Sequence, residues 1–191
     1  MIDYQDLELI AKKNLSKYRF KHSLGVVERA LEYAEHYNID KNIVKLVAIA
    51  HDLAKELSKE DVDKYLSSKE VILDSIEIQN NNLVHAKIGA YICEKEYGFS
   101  SDMANAIKYH TTGRANMSTL EKIIFLADTT EKNRTYKDLD YYVDLSNDNL
   151  DKAIYEVTKW SINNLLTKDV LIHPDTISCY NYYNPLNKFK N

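Results

Sequence analysis

The spacing of apolar residues is the feature that most restricts how this chain can fold. Apolar side chains recur three and four residues apart along nearly the whole sequence, which is the period that places them on one face of an α-helix. Four glycines and two prolines in 191 residues leave little of the turn chemistry that all-β and α/β folds require. The sequence therefore predicts an all-α protein built from amphipathic helices.

Residues that favour helix ends divide this pattern into segments. Ser and Asp side chains can cap the first turn of a helix, and Ser118 with Glu121 has the spacing of a capping box. The segment from Asp169 carries both prolines and is predicted to pack as irregular coil. The first two predicted helices span residues 3–16 and 20–37, and a third runs from Lys41 through His51-Asp52. A short helix follows Ser58, and another, with His85 near its start, ends at Gly98. The remaining predicted helices are one from Ser100 or Ser101 that closes on His110, one after Ser118 that carries Asp128, and one over residues 149–167.

A chain of this length can bury one continuous core without disulfides or structural zinc. We expect a single domain over residues 1–191, with its core at about residues 18–134 and a C-terminal helix and irregular tail at about residues 149–191. Cys93 and Cys179 are far apart in the sequence, so neither a disulfide framework nor a thiolate zinc site is expected.

The net charge of −4 argues against a polyanionic partner. An acidic chain has no overall attraction for nucleic acid or anionic lipid, so a small anionic ligand held by local basic groups is expected instead. The N-terminus lacks the pattern of a secretory signal, and no apolar stretch is long enough to span a bilayer. We expect a soluble cytoplasmic protein, and the oligomeric state stays open, with a homodimer as one option.

Six potential metal ligands follow one another in the order H…HD…H…H…D, with the central pair inside the apolar run VAIAHDLAKEL. Four imidazoles and two carboxylates suffice for two ions when one carboxylate bridges them, and such ions lie roughly 3.5 to 4 Å apart in enzymes that cleave phosphate esters and anhydrides. Each histidine alone is more often a core or capping residue than a ligand, but their joint occurrence on helices favours a metal site. The six residues are His22, His51, Asp52, His85, His110 and Asp128.

Asp52 is the natural bridge between two ions, because each of its oxygens can bind a different ion and an imidazole cannot do so. On a continuous helix, Lys55 would lie on the same face as His51 and Asp52. Its ammonium group would then meet a substrate phosphate at the metal site.

Other residues suited to phosphate lie next to the ligands in sequence. Arg19 precedes His22 by three residues, and the run HTTGR begins at His110. Guanidinium, hydroxyl and backbone N–H groups all hold phosphate oxygens. The predicted substrate-binding residues are Arg19, Lys55, Thr111, Thr112, Gly113, Arg114 and Arg134, and the predicted catalytic residues are Asp52, Lys55 and Arg114.

Several acidic and histidine residues are given simpler interpretations. His36 is predicted to lie on a helix surface and His173 in the tail before Pro174. Glu121 is interpreted as the capping partner of Ser118. Glu131 is interpreted as a solvated acid, or as an acid behind the metal ligands.

The sequence resembles the HD-domain superfamily of metal-dependent phosphohydrolases, and specifically the YqeK family of bacterial symmetrical dinucleoside tetraphosphate hydrolases. The resemblance covers almost the whole chain, and HTTGR and IHPDT are more specific to that family than the HD pair. The segments that carry it are YRFKHSLGVVERA at 18–30, AHDLAKEL at 50–57, VHAKIGAYI at 84–92, IKYHTTGRANMSTLEKIIFLADTTEKNR at 107–134 and IHPDTISCYN at 172–181.

The resemblance implies an HD-domain helical bundle with a di-metal site between its helices. It implies that one ion is bound by His22, His51, Asp52 and Asp128. Asp52 would also reach a second ion, which His85 and His110 complete. Iron is the metal that the resemblance implies, and diadenosine tetraphosphate is the implied substrate, cleaved into two molecules of ADP.

Three alternatives remain open. Another HD hydrolase, acting on a nucleoside triphosphate, a monophosphate or a cyclic dinucleotide, would use the same ligands. A di-iron oxygenase of the same fold would share the ligand order, although Lys55 beside the site favours phosphate. A regulator that only binds a nucleotide is disfavoured, because all six ligands are present.

Overall fold

The computed structural model describes residues 1–188 of the chain. Within that range the secondary structure is helical and contains no strand, which confirms the predicted all-α class. No helix among these residues has both the length and the apolar character needed to cross a membrane. The helices are α1 (Tyr4–Asn14), α2 (Lys17–His36), α3 (Lys41–Ala50), α4 (Lys59–Ser67), α5 (Ser75–Gln79), α6 (Asn81–Lys95), α7 (Ser101–Lys108), α8 (Thr119–Thr130), α9 (Leu139–Asp148), α10 (Leu150–Leu166) and α11 (Pro174–Tyr183).

Side chains cap the helix starts as the sequence predicts. Asp40 accepts a hydrogen bond from the backbone N–H of Asn42 at the start of α3, and Ser58 accepts one from Asp61 at the start of α4. Of the two serines considered for α7, Ser100 is the cap. The Ser118 and Glu121 capping box opens α8. These bonds satisfy backbone donors that have no partner inside the helix.

The packing of the helices places the candidate ligands on neighbouring elements. The long helix α2 packs against α3 and α8, and α7 packs against α3, α6 and α8. Fully buried aliphatic side chains, among them Ile49, Ile107 and Ile124, fill the space between these elements. The predicted ligands come from α2, α6, α8 and the ends of α3 and α7, so the metal-binding candidates meet at the centre of the bundle.

The third helix is shorter than predicted. It ends at Ala50, and residues 51–56 form tight turns in which Leu53 N–H donates to Ala50 and Lys55 N–H to Asp52. The imidazole Nδ1 of His51 lies 2.7 Å from the carbonyl oxygen of Ala48, which a continuing α-helix would pair with the Asp52 N–H. The histidine side chain competes for this acceptor, and the HD pair therefore lies just beyond the helix rather than inside it.

The prediction of an irregular C-terminal tail is wrong over α11. Pro174 occupies the first turn of this helix, where its missing N–H is not needed, and His173 is the capping residue. Cys179 and Tyr183 are buried in the main core, and the Tyr183 hydroxyl accepts a hydrogen bond from Met117 N–H at 2.8 Å. The tail thus packs on the bundle as a helix. The short helices α5 and α9 were also not predicted.

Candidate metal centre

All six predicted ligands meet in one cluster. His22 is on α2, His85 on α6 and Asp128 on α8, whereas the other three follow the ends of α3 and α7. The four histidines and Asp52 are buried, and Asp128 is partly exposed. Most of the ligand side chains are thus shielded from bulk water.

Asp52 lies between two pairs of histidines. Its Oδ1 is 3.0 Å from Nε2 of His85 and 3.7 Å from Nε2 of His110. Its Oδ2 is 3.5 Å from Nε2 of His51 and 3.7 Å from Nε2 of His22. One carboxylate oxygen therefore faces each pair, which is the arrangement that a bridging ligand requires.

Asp128 joins only one of these pairs. Its Oδ1 lies 3.1 Å from Nε2 of His22. Ligand atoms of His22, His51 and Asp128 lie within 4.8 Å of one another, and the same holds for His51, Asp52 and His110. The second of these groups spans both sides of Asp52. The cluster therefore divides by the Asp52 oxygen that each histidine faces, into a half with His22, His51 and Asp128 and a half with His85 and His110, called the first and second halves below.

Hydrogen bonds on the far side of the rings fix which nitrogen faces the cluster. Nδ1 of His51 donates to the Ala48 carbonyl and Nδ1 of His110 to the Ile107 carbonyl, both at 2.7 Å, and Nδ1 of His22 lies 3.3 Å from a Glu131 carboxylate oxygen. These oxygens only accept, so the Nε2 lone pairs point inward. The Nε2 atoms of His22 and His51 are 3.3 Å apart. A cation between them would remove their mutual repulsion, and the residues therefore fit a metal ion.

The ionisation of the cluster also suits metal binding. Burial alone would raise the pKa of Asp52, but the neighbouring His51, His85 and His110 hold this pKa far below its usual range. The pKa of Asp128 is also lowered, chiefly by its contact with His22. Burial lowers the pKa of His85 to about 4. Ionised carboxylates and neutral imidazoles are the forms that bind metal. The Asp52 carboxylate raises the pKa of His51 against its burial, and a bound cation would favour the neutral form of this imidazole.

Glu131 is a buried acid behind the cluster, which confirms the second of its two interpretations and rules out a solvated acid. It is 3% exposed, contacts Nδ1 of His22 through one oxygen and accepts the Asn133 N–H at 2.6 Å through the other. Gly25, three residues after His22 on α2, makes room for this carboxylate, because a Cβ at that position would collide with Oε2 of Glu131. The sequence signal for this contact is Gly25 itself, a glycine on the face of α2 that carries the ligand His22.

Three of the predicted phosphate-binding cations border the cluster. Nη1 of Arg19 lies 3.0 Å from Oδ2 of Asp52, Nη2 of Arg134 lies 3.2 Å from Oδ1 of Asp128, and Nζ of Lys55 lies 3.4 Å from Nδ1 of His85. The buried Nε of Arg19 has no hydrogen-bond partner within the described part of the chain. It is therefore a donor that an anionic ligand can use. Burial lowers the pKa of Lys55.

The residues of the HTTGR loop differ in whether they contact the cluster. The Thr111 hydroxyl lies 3.2 Å from Nε2 of His110, so the structure brings this residue to the cluster. Arg114 instead forms two hydrogen bonds with the buried Glu121, at 2.6 and 2.7 Å. Gly113 has a φ of 64°, and a Cβ there would lie 2.7 Å from Sγ of Cys179. The turn thus requires glycine at this position, and the predicted contacts of Gly113 and Arg114 with phosphate stay predictions.

Thr112 is buried beside this glycine. Its hydroxyl donates to the Gly113 carbonyl at 3.0 Å. That bond supports the same turn, and the predicted contact of Thr112 with substrate likewise stays a prediction.

Comparison with known proteins agrees with this geometry. Residues 19–133 match the family described as HD domain, and all six ligand candidates lie inside that range. The chain belongs to the HD-domain family. Its membership explains why the HD pair is accompanied by histidines on three other helical segments.

Within the HD-domain family, the chain is similar to curated relatives along most of its length. It is 38% identical over 182 residues to the symmetrical bis(5'-nucleosyl)-tetraphosphatase of Staphylococcus aureus, covering 92% of this chain and 91% of that protein. The protein of the same name from Bacillus subtilis is 34% identical over 172 residues. This alignment covers 90% of this chain and 92% of that protein.

A solved structure has the same fold. The crystal structure of a predicted HD superfamily hydrolase involved in NAD metabolism from Clostridium acetobutylicum matches with a TM-score of 0.90 and 34% identity, covering 96% of this chain and 97% of that one. The expected HD-domain bundle is thereby confirmed.

Proposed function

We propose that this protein is a symmetrical bis(5'-nucleosyl)-tetraphosphatase, which hydrolyses diadenosine tetraphosphate and related dinucleotides into two nucleoside diphosphates such as ADP. The observation that carries the proposal is Asp52, which presents one oxygen to each half of a six-ligand cluster bordered by three cations. Relatives that bear this enzyme name are similar to the chain over about nine tenths of its length. The cleavage of the central anhydride is taken from their name.

The six residues would hold two transition-metal ions. His22, His51 and Asp128 would bind one ion together with Oδ2 of Asp52, and the second half would bind the other with Oδ1. When bound, such ions lower the pKa of a water molecule and neutralise phosphate charge. Iron is our proposal for both, since imidazole and carboxylate ligands suit it.

The cations of the chain would act on the phosphates directly. Arg19, Lys55 and Arg134 surround the cluster at contact distance, and their charges would stabilise the negative charge that develops on the phosphate oxygens as the anhydride breaks. The free Nε of Arg19 gives this side chain a hydrogen bond to offer besides its contact with Asp52. Because both cysteines are free and buried, a reducing cytoplasm suits the protein.

Product analysis tests this function. The protein is supplied with a divalent transition metal and diadenosine tetraphosphate, and the nucleotides are separated by anion-exchange chromatography. We expect ADP as the sole product, and no turnover after the metal is removed by a chelator. ATP with AMP would contradict the symmetrical reaction. Consumption of nucleoside triphosphates or monophosphates, with the dinucleotide left intact, would assign the chain to another activity of the HD-domain family.

A further inference from the structure

A cleft of about 460 Å³ lies beside the second half of the metal centre. It is bounded by the start of α6, the loop after α7, the end of α10 and the segment that leads into α11. A cleft of this size is within the range of small-molecule sites, which is about 300 to 1,000 Å³. Its lining includes Leu83, Thr111, Ser161, Leu165, Val170 and Leu171.

The cleft adjoins the second half at Thr111, which follows His110 directly. Thr111 belongs to both sites, because it lines the cleft while its hydroxyl lies 3.2 Å from Nε2 of His110. A ligand in the cleft would therefore reach the metal centre past Thr111.

The walls suit a nucleoside. Four aliphatic side chains provide apolar surface, and Val170 and Leu171 are still 38% and 50% exposed. Asparagine amides and the Ser161 hydroxyl provide hydrogen-bonding groups among them. Flat apolar faces with polar edges are the surfaces that a nucleobase and ribose present, and small-molecule sites combine such groups.

One wall of the cleft is held by a contact between distant segments. His173 Nε2 lies 2.6 Å from Oδ2 of Asp74, which caps α5, and His173 also caps α11. The segment before α11 is thus fixed against α5, and the cleft has a defined shape without a ligand.

Two of the three cations that border the metal centre lie at its first half, whereas Lys55 contacts His85 of the second half. Arg19 contacts the Asp52 oxygen that faces the first half, and Arg134 contacts Asp128 of that half. A long anionic chain that begins in the cleft would cross the second half of the centre before it meets these guanidinium groups.

We propose that the cleft binds one nucleoside of the dinucleoside tetraphosphate, and that this anchor determines which anhydride is cleaved. With the nucleoside held beside Thr111, the two phosphates nearest to it would extend to the metal centre, and the remaining half would lie against Arg19 and Arg134. The distance from cleft to centre would then select the central bond. This inference about the cleft rests on the proposed function, the hydrolysis of dinucleoside tetraphosphates.

A substitution that fills the cleft tests whether the cleft anchors a nucleoside. Leu165 lines it, whereas the adjacent Leu166 is 58% exposed and lies outside it, so Leu165→Trp and Leu166→Trp form a matched pair. We expect Leu165→Trp to raise the KM for diadenosine tetraphosphate roughly tenfold or more. Metal content and helical circular dichroism should stay unchanged. Leu166→Trp should behave as the wild type. If Leu165→Trp does not fold, Leu171→Trp at the rim replaces it.

Inhibitor binding separates an effect on the cleft from one on the metal centre. Calorimetry of the metal-loaded protein measures the binding affinity for two ligands. ADP carries a nucleoside, and inorganic pyrophosphate does not. The proposal predicts weaker binding of ADP alone in Leu165→Trp. Equal loss of both ligands, or loss of neither, would overturn it. Failure of the wild type to form ADP from the dinucleotide would instead refute the proposed function, so the two failures are distinguishable.

Discussion

At the residue scale, the two oxygens of Asp52 connect the halves of the centre. Because each oxygen faces a different pair of histidines, Asp52→Ala should reduce the occupancy of both metal sites. His110→Ala removes a ligand from the second half only and should mainly empty that site. Elemental analysis of the purified variants measures both effects. Two fully occupied sites in Asp52→Ala would show that this carboxylate does not bridge.

Glu131 and Gly25 form a unit that orients His22. Loss of a carboxylate that orients a metal-binding histidine typically costs roughly 10- to 100-fold in metal affinity, and we expect this from Glu131→Ala. Gly25→Ala should have the same effect, since the new Cβ displaces the Glu131 carboxylate.

Gly89→Ala is the matched control for this prediction. It is also a helical glycine near the centre, but a Cβ there would make contacts of 3.5 Å or more, which is ordinary packing. Metal titration should show normal affinity for Gly89→Ala. Normal affinity in Gly25→Ala as well would contradict the orienting role of Glu131.

Lys55 is expected to act on the substrate without binding metal. Lys55→Ala should keep the metal content and helicity of the wild type and lower the turnover rate by about 10²- to 10³-fold, the usual cost of one donor to developing charge. The exposed Lys59, at the start of α4, gives the control Lys59→Ala. Steady-state kinetics would refute the role of Lys55 if both variants turned over equally fast.

At the element scale, most helix starts were predictable, whereas the end of α3 and the start of α11 were not. Caps such as Asp40 and Ser118 act on backbone groups two or three residues away, so the sequence alone reveals them. The end of α3 depends on His51 binding the Ala48 carbonyl, and apolar spacing carries no sign of that contact. Pro174 was interpreted as a helix breaker, although in the first turn it favours a helix.

The docking of α11 gives a prediction at this scale. His173 caps α11 and contacts Asp74 at the start of α5. His173→Ala removes both interactions, and loss of the cap alone should lower the free energy of unfolding by about 1 kcal/mol. His173→Asn keeps a capping side chain and should recover part of this loss. Urea unfolding compares the variants, and equal stability of His173→Ala and the wild type would contradict the account.

At the scale of the whole molecule, the ligands could be predicted but their surroundings could not. The order H…HD…H…H…D and the family resemblance named all six ligands before the fold was known. The pairing of Arg114 with Glu121 depends on how the loop after α7 folds back on α8. The cleft likewise draws its walls from separate parts of the chain. Such features arise only from the packing of helices.

The reaction in ¹⁸O-labelled water tests the central claim, that the assembled centre directs water to an inner phosphorus of diadenosine tetraphosphate and breaks the central anhydride. Attack there with departure of the other half places one label on the β-phosphate of half of the ADP molecules, which mass spectrometry of the separated products detects. We predict this labelling for the metal-loaded protein. Label in AMP, or in the γ-phosphate of ATP, would contradict the account, because it would place the cleavage at an outer anhydride.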